Sequence, residues 1–442
     1  MKKINSLILF GLVNLFVCCN GQEKKSEKAA EITPADSQQT SVDKVNLPAP
    51  YATKSHINLS KVIGWHGTKP QAPEGFKVDS FGKNLKSPRW IYVLPNGDVL
   101  VAQTKKEQKG PKKVIAVVSG QTKSESRKDN MNDIILLRDK NNDGIVETQE
   151  VFLSGLNMPF GMLLIKDKFY VACTDTLWCF NYKTGETHIT SPGKKIIALP
   201  MQGRHWTRGL LANADGSKIY ISVGSTTNVA DDGIEKEAMH ACILEINPDG
   251  SGERVYASGL RNPAGMAWMP GTSTLWTAVN ERDELGDDLV PDYLTSVKDG
   301  GFYGWPYSYY GQHLDPRIKE KDQRPDLVQK AIVPDVELGA HTASLGLCFY
   351  NKKSFPAKYS NGAFIGQHGS WNREIPTGYK VVFVPFTNKK PGAMEDFLTG
   401  FMADEKKNEV YGRPVGVTLM NDGSLLVADD AGNMVWRVSH SK

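Results

Sequence analysis

From residue 80 onward, short apolar runs alternate with polar turns at strand spacing, and no long segment keeps a helical period. A unit recurs: a polar or basic residue beside Pro or Gly, an apolar strand, a turn with Gly or Asp, then a second apolar strand. Its instances begin at Arg89-Trp90, Met158-Pro159, Arg208-Gly209, Arg261-Asn262, His341-Thr342 and Arg413-Pro414. Each reads as a β-hairpin whose turn, such as Asn96-Gly97, Asp215-Gly216 or Asp422-Gly423, can take positive φ. Six units recurring about every 60 residues suit four-stranded blades with insertions. The pattern predicts an all-β, six-bladed β-propeller of antiparallel four-stranded blades. A pair of β-sandwiches is the competing arrangement.

The first 60 residues read differently. Lys2-Lys3 precede an apolar stretch from Ile4 to Cys19, which has the layout of a signal peptide. Its end resembles a lipobox, with Cys19 as the expected lipidated residue and Cys18 the alternative; a plain secretory signal is the other reading. Residues 20–60, rich in Lys, Ser, Gln, Thr and Pro, offer little to bury and are expected to be a flexible linker. The chain thus divides into a signal segment 1–19, a linker 20–60 and a propeller domain 61–442. Localisation at the cell envelope, with a lipid anchor as the only membrane attachment, follows from that division.

Composition narrows the function by exclusion. Lys plus Arg number 53 and Asp plus Glu 49, a net charge of +4, too small to argue for nucleic-acid binding. Four cysteines beyond the signal region (Cys173, Cys179, Cys242, Cys348) are too few for a disulfide scaffold. There is no CxxCH haem site, no GxGxxG after a strand, no GxSxG elbow and no HExxH. Residues 139–150 (DKNNDGIVETQE) fit a twelve-residue calcium loop, with Asp139, Asn141, Asp143 and Glu150 as expected ligands. The apolar flanks read as strands, so the loop would staple a hairpin, or be an ordinary acidic turn.

Because equivalent positions of propeller blades converge on one axis, the residues that open the units should share a funnel. Arg89, His205 with Arg208, Arg261 with Asn262, His341 and Arg413 would then focus positive charge on a small polyanion. Each arginine could instead pair with a carboxylate of the neighbouring blade.

Ordered segments then carry a specific likeness: residues 203–210 (GRHWTRGL), 223–225 (VGS), 259–265 (GLRNPAG), 280–288 (NERDELGDD), 300–306 (GGFYGWP), 366–373 (GQHGSWNR) and 412–417 (GRPVGV). With these, the sequence resembles the PQQ-dependent sugar dehydrogenases of the soluble glucose dehydrogenase and sorbosone dehydrogenase type, over about residues 75–440. The resemblance implies a six-bladed propeller holding PQQ and calcium in its funnel. It implies that His205 is the general base and that Arg261 polarises the reacting quinone carbonyl. It further implies that Arg89, Arg208, Asn262, His368, Arg373, Lys380 and Arg413 contact the cofactor, with Trp371 either stacking on it or packing between blades. The carbonyls of Asp283 and Glu284 would hold the calcium. Two positions depart from the glucose dehydrogenase branch: Ser225 stands where an aspartate orients the histidine, and Val415 where a second arginine follows the first.

The expected activity is oxidation of the hemiacetal or aldehyde carbon of a sugar or sugar-like substrate. Hydride passes to PQQ, and a separate cytochrome or quinone takes the electrons. The alternatives are a calcium-dependent lactonase, which would need a carboxylate cage at the axis, and a non-catalytic propeller that binds glycan or protein.

Overall fold

A computed structural model describes residues 46–104, 132–201 and 203–440. The signal segment 1–19, with Cys18 and Cys19, lies outside the described residues, as does the linker up to residue 45. The chain from Leu47 to Lys442 forms one compact unit, so the last part of the expected linker belongs with the sheets.

Among the described residues nearly all regular structure is strand, and the strands build six main sheets. Sheet 1 runs Pro88–Val93, Val99–Gln103, Asp133–Arg138, Thr148–Leu153. Sheet 2 runs Gly161–Ile165, Lys168–Ala172, Thr176–Asn181, Lys194–Ala198. Sheet 3 runs Leu210–Ala212, Ile219–Val223, Cys242–Ile246, Arg254–Ser258. Sheet 4 runs Pro263–Trp268, Leu275–Val279, Pro291–Val297, Val336–Ala340. Sheet 5 runs Ser344–Tyr350, Gly362–Gln367, Lys380–Thr387, Glu395–Leu398. Sheet 6 runs Pro414–Leu419, Leu425–Asp429, Met434–His440, and takes its outer strand, Phe76–Gly82, from the other end of the domain.

Within each sheet successive strands pair antiparallel. The first strands of the six sheets touch one another in sequence order, and the sixth touches the first, closing a circle. The second strands, such as Val99–Gln103, Ile219–Val223 and Leu425–Asp429, are buried along their whole length, because sheet faces cover them on both sides. Their side chains fill apolar layers between neighbouring sheets: Leu100, Phe152 and Phe169 lie between sheets 1 and 2, Leu177, Ile221 and Leu244 between sheets 2 and 3. Sheets 5 and 6 meet over an aromatic layer in which Phe364, Phe383 and Phe397 are fully or almost fully buried. Among the described residues, Cys173, Cys179, Cys242 and Cys348 are buried or half-buried free thiols.

Candidate active site

In a hairpin, the residue before the first strand lies beside the residue after the second. The circle of first strands therefore gathers these positions from all sheets at one end, and the charged residues of the repeat stand there. They form two connected clusters.

The first is built on His205. Its Nδ1 lies 2.8 Å from the Ser225 carbonyl, to which it donates, and 3.1 Å from the Ser225 hydroxyl. That bond fixes the proton on Nδ1 and leaves Nε2 as the acceptor, with no partner among the described residues. Burial, together with the Arg261 charge, lowers the pKa from the ordinary 6.5 to about 3, so the ring is neutral. Ser225 thus fixes the orientation of the His205 ring through its main-chain oxygen. Close approach depends on two glycines. A Cβ on Gly224 would stand 2.5 Å from Asn262 Oδ1 and 2.6 Å from His205 Cβ, and one on Gly203 only 2.3 Å from Thr226 Cα.

Arg261 is buried beside this ring. Its Nη2 donates to Asn228 Oδ1 at 2.9 Å and lies 3.4 Å from Asp283 Oδ2, and its Nη1 donates to the carbonyls of Asn280 and Glu281. Burial pushes its pKa down, while Asp283 pulls the other way. Asp283 in turn accepts from Asn372 Nδ2 at 2.6 Å and faces His341 Nδ1 at 3.4 Å. Burial alone would raise the Asp283 carboxyl, but the His341 and Arg261 contacts outweigh it and hold it below the usual range. His341 Nε2 donates to the Gly286 carbonyl at 2.9 Å.

The second cluster is built on Asp430, which holds Arg89 through Nη1 and His368 through Nε2, the latter at 2.9 Å. Arg413 Nε and Nη2 donate to the carbonyls of His368 and Gly369 at 3.0 and 2.9 Å, and its guanidinium lies over the Tyr379 ring. Burial and the two arginines lower His368 to about 4, and Asp430 sits well below the carboxylate range, its burial outweighed by His368 and Arg89. Arg89 also lies over the ring of Trp206, the neighbour of His205, with 5.4 Å to the centroid. The loop from His368 to Asn372 joins the clusters on the other side.

Other expected site residues lie elsewhere. Arg208 is fully buried and donates to the carbonyls of Pro200, His205 and Thr207, with burial lowering it to about 10. It braces the main chain that carries His205, while its Nε has no hydrogen-bond partner. Lys380 is corrected: it begins a sheet 5 strand and pairs with Asp396 on the outer strand at 2.6 Å. Arg373 pairs with Asp288 at 2.6 Å. Trp371 is 39% exposed, which excludes packing between sheets. Asn262 is buried next to Arg261, against Gly224 and His205.

The metal expectations divide. The Asp283 carbonyl accepts Arg317 Nη1 at 2.7 Å and Asn228 Nδ2 at 3.0 Å, so both its lone pairs are engaged. Glu284 turns its side chain to solvent at φ 76. The Asp283 carbonyl, so occupied, does not fit a calcium ion. In the other loop, Asp139 and Asp143 come together with Glu147, while Glu150 lies in the strand Thr148–Leu153 opposite Leu136. Glu147 therefore replaces Glu150 as the third acid, because the β-register carries position twelve away. Asn141 Oδ1 accepts from the Asp143 amide at 3.1 Å.

Three residues central to this geometry escaped the sequence reading. Asp430 follows the strand Leu425–Asp429 as the second of two consecutive aspartates, a signal that was present. Asn228 and the Asp283 side chain lie in irregular segments with no repeat to mark them.

By fold this is an all-β protein of the architecture shared by sugar-dehydrogenase propellers. The calcium structure of a family AA12 enzyme from Trichoderma reesei superposes with TM-score 0.69 at 17% identity, covering 87% of this chain and 99% of that one. The holo PQQ domain of pyranose dehydrogenase from Coprinopsis cinerea gives 0.67 at 19%, covering 84% and 97%. More particularly, residues 195–370 match the Glucose / Sorbosone dehydrogenase family model and residues 311–441 the TrAA12-like model. An uncharacterized protein of Borreliella burgdorferi is 27% identical over 387 residues, 84% of this chain and 91% of its own length. An aldose sugar dehydrogenase of Escherichia coli is 29% identical over 121 residues, 27% of this chain and 30% of that protein.

Proposed function

We propose that the six sheets are the blades of a propeller whose axial end binds PQQ and oxidises a sugar or sugar-like aldehyde. One observation carries the reading: a neutral, Nδ1-protonated His205 with a free Nε2 beside a buried arginine. His205 Nε2 takes the proton of the substrate hydroxyl, and its low pKa keeps that lone pair available at neutral pH. Arg261, held rigid by Asn228 and two carbonyls, keeps a fixed positive charge where negative charge develops. Arg413 and Arg89, with His368, would hold the cofactor's carboxylates, and Asn262 would face it beside Arg261. When bound, PQQ would supply the hydride-accepting quinone.

The residues fit such an anion in kind: Arg89, Arg261 and Arg413 lie buried or half-buried in the joined clusters. They fit the lactonase alternative less well, because Asp283 and Asp430 are each tied to cations rather than forming an open cage. Calcium, in this reading, belongs to the loop of Asp139, Asn141, Asp143 and Glu147, as a structural staple. Electrons leave to a separate cytochrome or quinone. Lipidation at Cys19 tethers the protein to the envelope, which palmitate labelling lost in Cys19→Ser would test.

The direct test is a PQQ titration of purified protein, followed by dye reduction with a panel of aldoses and aldehydes. His205→Ala should bind PQQ normally and lose dye reduction. Retention of near-normal turnover would remove His205 as the base, and absence of PQQ binding would remove the quinoprotein reading.

A further inference from the structure

The Asp283 carbonyl stands where the family resemblance puts a calcium ligand, yet it is bonded by a guanidinium. Arg317 Nη1 donates to it at 2.7 Å, and Asn228 Nδ2 at 3.0 Å occupies its other lone pair. Arg317 is not there by chance of rotamer. Its Nε and Nη2 grip both oxygens of Asp315 at 2.9 and 2.8 Å, and its main-chain amide donates to the same carboxylate at 3.0 Å.

Asp315 is itself fixed. Its side chain is fully buried and accepts Arg282 Nη1 at 3.0 Å, and Arg282 is fully buried with further bonds to Glu281 and the carbonyls of Pro306 and Ser308. Burial works against the Asp315 charge, but the two arginines hold the carboxyl down at about 2. Withdrawing Arg317 from the Asp283 carbonyl would therefore strain a bidentate pair to a buried anion. A divalent ion at that carbonyl would meet a fixed cation and find no free lone pair.

We infer that Arg317 supplies from the chain itself the positive charge that the resemblance assigns to calcium at this carbonyl, so that PQQ loads here without a divalent ion. Arg317 is a positioning residue of the segment between sheet strands Pro291–Val297 and Val336–Ala340. This rests on the quinoprotein reading above, and the experiment separates the two.

Protein with Asp139→Asn and Asp287→Asn, which disable the acidic clusters Asp139–Asp143–Glu147 and His56–Asp287–Glu374, is titrated with PQQ in EDTA and in calcium. The inference expects affinities within about threefold of each other, and in Arg317→Gln a calcium-dependent tightening of about tenfold or more. A tenfold loss in EDTA for the Arg317 protein, restored by calcium, overturns it. If Arg317→Gln does not fold, Arg317→Lys, which keeps the charge, is expected to stay calcium-independent, and calcium dependence there overturns the inference.

If PQQ binds in no condition, the quinoprotein reading fails, and terbium luminescence with the metal alone decides the remaining claim. A terbium site that appears only after Arg317→Gln supports it. A site already present with Arg317, or absent from both proteins, overturns it.

Discussion

The depressed pKa of His205 makes a quantitative prediction about acid stability. An imidazole that titrates near 6.5 in the unfolded chain and at about 3 in the folded one is protonated first by unfolding. Stability that this group leaves intact above pH 6.5 is lost as pH falls from 6.5 toward 3. At pH 4.5 the full linkage would be about 2.7 kcal/mol, at ~1.36 kcal/mol per pH unit. The ring keeps some access to solvent, so about 1–2 kcal/mol is the realistic expectation. His205→Gln removes the titration while keeping a side chain that can donate to the Ser225 carbonyl. Urea unfolding of both proteins at pH 7 and 4.5 gives the double difference, with wild type losing more on acidification. That difference is needed because other groups contribute with either sign. His368, at about 4, destabilises on acidification as His205 does, whereas Asp292 and Asp429, raised by burial to about 6, favour the folded state as they protonate. Parallel losses in the two proteins would refute the claim that the folded state holds His205 neutral, and with it the base assignment.

Three further outcomes are expected. Gly224→Ala places a methyl group against Asn262 Oδ1 and His205 Cβ, so it should cost about 1–3 kcal/mol in denaturant unfolding and reduce turnover more than tenfold. Arg261→Ala should lower kcat by about 10²–10³ with a smaller change in PQQ affinity, and the reverse split would make it only a clamp. Chelation should lower the thermal midpoint of wild type by a few degrees and leave Asp139→Asn unmoved, as loss of a bound ion requires; equal effects would place the ion elsewhere.

What was legible in the sequence was whatever repeats. The hairpins that open each unit, from Trp90 and Val101 to Val417 and Val427, gave the first and second strands of most sheets, because apolar alternation and Gly turns are local signals. The outer strands, such as Lys194–Ala198 and Arg254–Ser258, carry few core side chains and so little pattern. His205, Arg261 and Arg413 were legible because they sit at a fixed place in the repeat. Arg208 sits at such a place too, yet its side chain turns down into main-chain carbonyls. Asp430 and Arg317 depend on contacts across 341 and 34 residues, which only the folded chain reveals.

The outermost strand of sheet 6 comes from Phe76–Gly82 and lies against Met434–His440, with Phe76 opposite His440. The first-made and last-made parts of the domain are thus partners, and nothing drawn from the middle can stand in for either. During synthesis the circle stays open until Met434–His440 has been made, because pairing so distant must wait for its second half. A chain that ends a strand early would be left with an unclosed edge, and Arg413 and Asp430 would lose the platform that faces them toward Arg89.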